Sequence, residues 1–503
     1  MSHNMRFFQS NFLLGFTATS LAIGLTGCGS SSDDTSNDGY VKFYNGSENA
    51  PAIHLIVDED LETSEDDEIE VTFGGVAYGQ ALGNSQLENN DYFYELAWQD
   101  DDSTSRDELE VIYQGDVKVI DDTIHMIAMK GDISAPEVLE FDIPIIDEDD
   151  DDTYDRFNFR FLNLHPNNES FDVYVSEDDE TFNEAELLSS VAPEVLTDNI
   201  KRDQGSYIFY ITASGSDEVL YQSNSIDFFY TSQYVMVVRK NDGAGTSPYI
   251  IDQLTNSSTY THIDSDAEAQ FNVYNALITH ELQPIYTGRF DLHIGAVDDT
   301  PEVNNLDFGA SSDTIPMASG DYAVTIMDNT TQQPLMTNHL LTLPENSNKT
   351  VFFYADIVDV DEDGDGNVDE DGDGIVDKQE YHVHSKVVSN SVSESIYHHN
   401  LALVNLVDSD DFNSVTYYFV RSDETIDTAY YKRTLGFTED KTLTLSNNTY
   451  EVYAVAEDNG SEIILDSLTL TLDESFDDAF IVVEKEATSA TGYKITLFDQ
   501  SAL

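Results

Sequence analysis

The chain has 503 residues, and 98 acidic side chains against 21 basic ones leave a formal net charge of −77. Phosphate binding needs clusters of lysine and arginine, and none is present, so nucleic acid is excluded as a partner, as is adhesion to bare anionic lipid. A chain this long exceeds one small domain, and self-repulsion of this size is easiest to bear where salt screens it, or where divalent cations or cationic partners are recruited.

The first 27 residues read as a targeting segment. Residues 1–10 carry one basic side chain, Arg6, and residues 11–25 are mainly apolar and small. The stretch ends Leu25-Thr26-Gly27-Cys28, and Cys28 is the only cysteine. A lone thiol in an exported protein is a liability that acylation removes. An apolar residue three positions before a cysteine, and a small one just before it, resemble a bacterial lipoprotein signal. That resemblance implies a signal peptide over 1–27, cleavage before Cys28, and lipidation of Cys28 with acyl chains such as palmitate. Several chains on one residue anchor stably where one is marginal. Glycine at position 29, where aspartate would imply retention at the inner membrane, implies the outer membrane of a Gram-negative cell, on either its periplasmic face or the cell surface. Residues 28–38 form a flexible tether, small and acidic, with no apolar side chain to bury. No later run approaches the ~18 apolar residues of a spanning helix, so the expected anchor is lipid alone.

From residue 39 one plan recurs four times. Residues 41–45, 159–163, 271–275 and 401–405 are apolar strands that stop at Asn45, Asn163, Asn275 and Asn405. Between 44 and 47 residues later Tyr92, Tyr207, Tyr322 and Tyr450 each open another strand. A third apolar run follows at 124–129, 234–238, 351–354 and 480–483. Three markers in one order at matched spacing are an internal repeat.

The first unit, 39–146, adds an alternating strand at 52–57, turn signals at 74–75 and 89–91, and strands at 109–113 and 139–145. A six-residue acidic run, 147–152, reads as a solvated linker. The second unit, 154–264, has a strand at 171–175 and a closing hairpin at 234–239 and 248–254. Its connection 183–196 is the best helical candidate, since 184–188 are good helix formers. The third unit spans 267–396. The fourth, 398–503, closes with strands at 480–485 and 493–498.

Short strands rich in tyrosine, phenylalanine, valine, isoleucine and threonine, separated by Gly/Asn/Asp/Ser turns, predict an all-β protein. The expected fold is four tandem Ig-like antiparallel β-sandwich domains after the signal peptide and tether, each burying its own core, strung in a row. The repeated asparagine suits a strand end entering a turn, because its short side chain bonds neighbouring backbone. The repeated tyrosine resembles the tyrosine corner of Ig-like sandwiches in placement.

The opening of the first unit, residues 41–57, carries Asn45, Gly46, Ser47, Glu48, Asn49, Ala50 and Pro51, then a strand ending in Val57 and Asp58. It resembles the bacterial domain-of-unknown-function family 4397. The second unit keeps Asn163 without the Ala-Pro, and the third and fourth keep little beyond Asn275 and Asn405. The resemblance implies exported β-sandwich repeats, often tandem and lipid-anchored, with no catalytic residues to carry over.

One stretch carries recognisable chemistry. Residues 359–380 interrupt the final hairpin of the third unit, and 361–368 and 369–376 repeat as DEDGDGNV and DEDGDGIV. The second half fits the EF-hand loop: Asp369, Asp371 and Asp373 at positions 1, 3 and 5, Gly374 at the sharp turn, the Ile375 carbonyl, Asp377 at position 9 and a bidentate Glu380 at position 12. The first half offers Asp361, Asp363, Asp365 and Asn367 and shares Asp369, but has Gly372 at position 12. The insertion resembles the calcium loops of thrombospondin type 3 and dockerin repeats. Hard carboxylate oxygens in this number suit calcium, and the recurring glycines and valines are more than a solvated acidic loop requires.

His382 and His384 alternate on the strand after this loop, with His398 and His399 beyond; such a pair is either a transition-metal site or an idle pair on a strand face. Trp98, the only tryptophan, is expected in the core. No H-E-x-x-H, G-x-S-x-G, P-loop or dinucleotide glycine pattern occurs. The expected function is a non-enzymatic, calcium-stabilised outer-membrane lipoprotein serving as a surface spacer, adhesion or binding module with a protein or polysaccharide ligand. A polysaccharide-binding accessory protein is the alternative, and a hydrolase the third.

Overall fold

Alternation along the opening strand of each unit decides what lies on both sides of it. In Asp38–Gly46, Val41 and Phe43 join the core of the first unit, while Lys42 and Tyr44 face away yet are equally buried. The structure, a computed structural model, describes residues 38–59, 70–100, 103–146, 155–297, 300–361, 368–369 and 375–500. The leader, Cys28 and the acidic run at 147–152 lie outside the described residues.

The described residues form eight sheets, two to a unit. In the first unit Asp38–Gly46 lies beside Thr123–Lys130, with Glu137–Pro144 outside; the facing sheet runs Glu70–Val76, Ile53–Asp58, Asp91–Trp98, Glu110–Lys118. The chain leaves the opening strand, crosses to the facing sheet, and returns through the third apolar run. That return makes one parallel pair in an otherwise antiparallel sheet, and it recurs in every unit. Asn45 lies opposite Met129, Asn163 opposite Val238, Asn275 opposite Phe353 and Asn405 opposite Val483.

The marker asparagines are buried and do one structural job. Each Oδ1 accepts the backbone N–H two residues on, from Ser47, His165, Leu277 and Val407, at 3.0–3.1 Å. Each Nδ2 donates to a carbonyl, of Val76, Glu169, Leu306 or Leu435, at 2.9–3.0 Å. In the first, third and fourth units that carbonyl is on the facing sheet, so the side chain ties the two layers together. The marker tyrosines are tyrosine corners. The hydroxyls of Tyr92, Tyr207, Tyr322 and Tyr450 donate to the carbonyls four residues upstream, of Glu88, Asp203, Ala318 and Ser446, at 2.6–3.2 Å.

Four apolar clusters fill the four sandwiches. Two further clusters lie between units, which a row of independent beads does not provide. Tyr44, Met126, Ala128 and Ile143 pack against Leu162, Leu164, Val235, Val237 and Leu254, joining the first two units back to back. Tyr274, Phe352 and Val388 do the same against Val404, Phe480 and Val482 of the fourth. The sheet holding the parallel pair is therefore covered on both faces, and its strands read as continuous apolar runs rather than alternating ones.

The two back-to-back pairs also touch. Trp98 is half-buried rather than in the core interior, and its ring stacks on Tyr397 at 4.8 Å and 8°. Ile396 N donates to Asn49 O at 3.1 Å, and the His398 ring reaches Gln99 O at 3.1 Å. The turn at 241–245 of the second unit wraps Asn346 of the third, where Gly245 N donates to Asn346 Oδ1 at 2.8 Å. A β-carbon on Gly243 would overlap the Asn346 amide, 1.9 Å from Nδ2.

The expected helix over 183–196 is absent. Phe182–Glu184 forms one 3-10 turn with a Thr181/Glu184 capping box, and Glu186–Val191 is a strand paired with Phe171–Glu177. The Phe182 ring packs on Tyr174 and Tyr210, and an open sheet edge was available; tertiary pairing overrides local propensity here.

Candidate functional site

The acidic insertion grows from one of the two longest hairpins among the described residues. Asn348–Asp359 and Gln379–Ser389 pair residue for residue from Lys349↔Ser389 to Asp359↔Gln379. One further backbone bond carries the ladder on, Val360 N to Lys378 O at 2.9 Å, and a second, out of that register, runs from Asp377 N to Val368 O at 3.1 Å. The second bond sets the closing valine of the first acidic half against the second half. Of the ten residues expected to hold calcium, Asp361, Asp369, Ile375, Asp377 and Glu380 are described, and Asp363, Asp365, Asn367, Asp371 and Asp373 lie outside the described residues. Ile375 is exposed, and Glu380 is the second residue of its strand. The Glu380 carboxylate lies 3.2 Å from Lys378 Nζ and 3.3 Å from His382 Nε2. Hydrogen bonds from Lys378 and His382 hold its pKa below the usual carboxylate value.

The four histidines do not converge. His382 and His384 stay together on the hairpin. His399 is fully buried, with Nε2 2.6 Å from Asn447 Oδ1, and His398 sits edge-on to Trp98.

Buried charged groups gather where units meet. Lys42 is 4% exposed, and its Nζ donates to Leu82 O of its own unit at 3.2 Å and to Thr255 O of the second unit at 2.8 Å. Burial draws its pKa down to about 8. Beside it Tyr44 Oη donates to Asp252 Oδ2 at 2.8 Å, Arg239 Nε to the same oxygen at 2.7 Å, and Thr261 Oγ1 to Oδ1 at 2.7 Å. The Arg239 guanidinium also bonds Asp242 at 2.9 Å and covers the Tyr78 ring at 4.7 Å. Burial pulls Arg239 down, but Asp252, Tyr44, Tyr78 and Asp242 together hold it above its ordinary value. Between the third and fourth units Tyr274 Oη and Thr496 Oγ1 donate to Glu484 Oε1 at 2.8 and 2.7 Å, and burial pushes Glu484 up. Sequence reasoning missed these groups. The available signal was tyrosine before the marker asparagine in the first and third units, where the second and fourth have Leu162 and Val404.

A shallow groove of about 530 Å³ on the first unit is lined by Phe93, Ile120, His125, Glu140 and Asp142 among others. His125 Nδ1 lies 2.7 Å from Asp142 Oδ1, and Nε2 3.7 Å from Glu140 Oε2. Among the described residues no serine, threonine or cysteine lines it. At one end of the second unit Phe229, Tyr230 and Tyr260 stand exposed. Burial raises the pKa of Tyr234.

No family model matches the chain, and no curated protein matches it. Among solved structures, the TIE protein of Bacillus anthracis is similar over 91% of this chain and 75% of its own, at 8% identity and a TM-score of 0.14. A streptococcal ancillary pilin matches over 65% of this chain and 98% of its own, at 9% identity and TM-score 0.14. The major pilin subunit of Bacillus cereus matches over 65% and 99%, at 8% identity and TM-score 0.14.

Proposed function

We propose that the chain is a lipoprotein held at the outer membrane through Cys28, and that it acts without turnover as a surface spacer, adhesion or binding module. The observation that carries this reading is the use made of its buried ionisable groups. Strongly shifted groups in a concave site point to catalysis. Here Lys42, Tyr44, Asp252, Tyr274 and Glu484 are each spent on a bond between sandwiches, and Arg239 holds Asp252 within its own unit while covering the Tyr78 ring of the first. Such bonds turn four small domains into two rigid back-to-back blocks, which suits a scaffold that presents surface. Calcium in the 359–380 insertion would fix the free end of the long hairpin. Loops of this type bind at about 0.1–1 mM. Free calcium at 10–100 times the dissociation constant would add about 1.4–2.7 kcal/mol to that unit.

Two experiments test this. Cys28→Ser should move the protein from the membrane fraction to the soluble one; retention in the membrane would refute the anchor. Calorimetric melts with calcium and with chelator should separate, and identical curves without bound ion would refute the metal. Exposed Phe229, Tyr230 and Tyr260 favour polysaccharide binding as a second reading, since sugar platforms use exposed aromatic faces. A glycan array decides it: a spacer is silent on every sugar, whereas a Tyr230→Ala/Tyr260→Ala variant would silence a genuine sugar signal.

A further inference from the structure

The long hairpin also gathers nitrogen ligands that an all-oxygen calcium loop does not use. Its register sets His382 opposite Asp356 and His384 opposite Tyr354. Side chains two apart on a strand share a face, so Glu380, His382 and His384 lie with Tyr354, Asp356 and Val358 on one side of the hairpin. On that side His384 Nε2 is 3.0 Å from Asp356 Oδ1, and the His382 and His384 rings meet at 6.2 Å and 73°. One ligand atom from each of Asp356, His382 and His384 lies within 4.8 Å of the other two. The Tyr354 ring lies along His384 at 5.5 Å and 25°, and Tyr354 is itself packed against the cluster between the third and fourth units. The ligands therefore stand on two paired strands anchored at a packed interface.

We propose that Asp356, His382 and His384 form a binding site for a divalent transition-metal ion of borderline softness, represented by zinc. Two imidazoles and one carboxylate are a donor set that such ions prefer and that calcium and magnesium do not. Zinc holds nitrogen and oxygen at about 2.0–2.2 Å, which places ligand atoms around a tetrahedral ion roughly 3.3–3.5 Å apart. The atoms here are already at 3.0 Å for one pair and no more than 4.8 Å for the rest. The half-exposed His382 and His384 side chains, 45% and 42% accessible, are free to close that gap by χ rotation without moving backbone. Glu380, 3.3 Å from His382 Nε2, stands where a fourth ligand or the hydrogen-bond partner of a bound water would be. The three ligands are independent of the lipid anchor and lie outside the calcium loop, which the site adjoins through Glu380.

The test is isothermal titration of the untagged full chain, stripped of metal, with zinc chloride in excess calcium chloride. Excess calcium occupies sites made of oxygen alone and leaves imidazole sites open. The expected result is one zinc equivalent whose affinity falls at least about tenfold in His382→Gln, in His384→Gln and in Asp356→Asn, the scale of loss when a ligand set is broken. His54→Gln, a histidine of the first unit whose ring bonds the Phe73 carbonyl, should leave affinity unchanged. Cobalt(II) in place of zinc should give visible absorption that the His382→Gln/His384→Gln variant lacks. The substituted side chains are partly exposed, so unchanged melting temperatures identify folded variants. No zinc heat in the wild-type chain, or equal affinity in the double-histidine variant, would overturn the proposal.

Discussion

Lys42 gives the sharpest quantitative expectation. Its amine is buried between the first two units, donates to one carbonyl of each, and is held at about 8 rather than 10.5. Burial is the cause, so the charged form is the costly one in the folded state. A neutral amine still has two N–H groups, which match its two acceptors, so losing the proton breaks neither bond. The folded pKa is the lower of the two. Between about pH 8 and 10.5 the unfolded chain binds the extra proton, so stability rises with pH across that window, and the penalty is present in full below it. The whole penalty is about 3 kcal/mol, of which about 2 kcal/mol should be regained between pH 7 and 9.5. Above that range ionising tyrosines of the unfolded chain work in the opposite direction. The assay is urea denaturation at steps of pH in high salt, which mutes the background charge of −77. Lys42→Met, which keeps the stem and drops the amine, should be flat over the window. A wild-type curve that is flat or falls from pH 7 to 9.5, or a Lys42→Met protein that keeps the rise, would refute the reasoning.

Other substitutions follow from the same geometry. Arg239→Met leaves Asp252 buried without its cation and should cost about 3–5 kcal/mol by urea denaturation; adding Asp252→Asn should recover most of that, because no unpaired charge remains. Asn405→Ala strands the Val407 N–H and the Leu435 carbonyl and should cost about 1–3 kcal/mol, where substitution of the exposed Asn413 should cost under about 0.5. Glu484 has its pKa raised by burial, so its contribution is present at low pH and is lost as pH rises through the folded value; Glu484→Gln should remove that decline from the melting curve of the third and fourth units.

Much of this fold was legible because its signals are local. An asparagine that ends a strand needs only its own i+2 N–H and one facing carbonyl, and a tyrosine corner needs only the carbonyl four residues upstream, so both repeat in sequence wherever they repeat in space. The packing of whole sandwiches was not legible, because an outward apolar side chain on a strand looks the same whether it meets solvent or another sheet. Runs such as 124–129 and 480–483, apolar at nearly every position, were the trace of burial on both faces. The pairing of His384 with Asp356 was equally hidden. Its two halves are 28 residues apart, and only the register of the hairpin across the acidic insertion brings them together. The strand at Glu186–Val191 shows the opposite failure: its helix formers are real, but Phe171–Glu177 offered an unpaired edge and Phe182 two aromatic rings to pack on.

The two inter-unit locks suggest that the repeated module is a pair of sandwiches rather than one. Tyr44 and Tyr274 precede the marker asparagines of the first and third units and each reaches into the next unit for a carboxylate. The registers make the receiving positions comparable. Val238 and Val483 lie opposite Asn163 and Asn405, so Arg239 and Glu484 occupy one position. Val237 lies opposite Asp252 and Val482 opposite Thr496, so Asp252 and Thr496 occupy another. The first pair puts its acid on the outer strand with a cation beside it; the second puts its acid on the inner strand with a hydroxyl beside it. Four units copied singly have no reason to alternate tyrosine with Leu162 and Val404 in step with their docking partners, whereas a duplicated two-sandwich block does. The tyrosine hydroxyl is the fixed element, since a buried donor must be satisfied, and the acid has been free to move between the two positions within its reach.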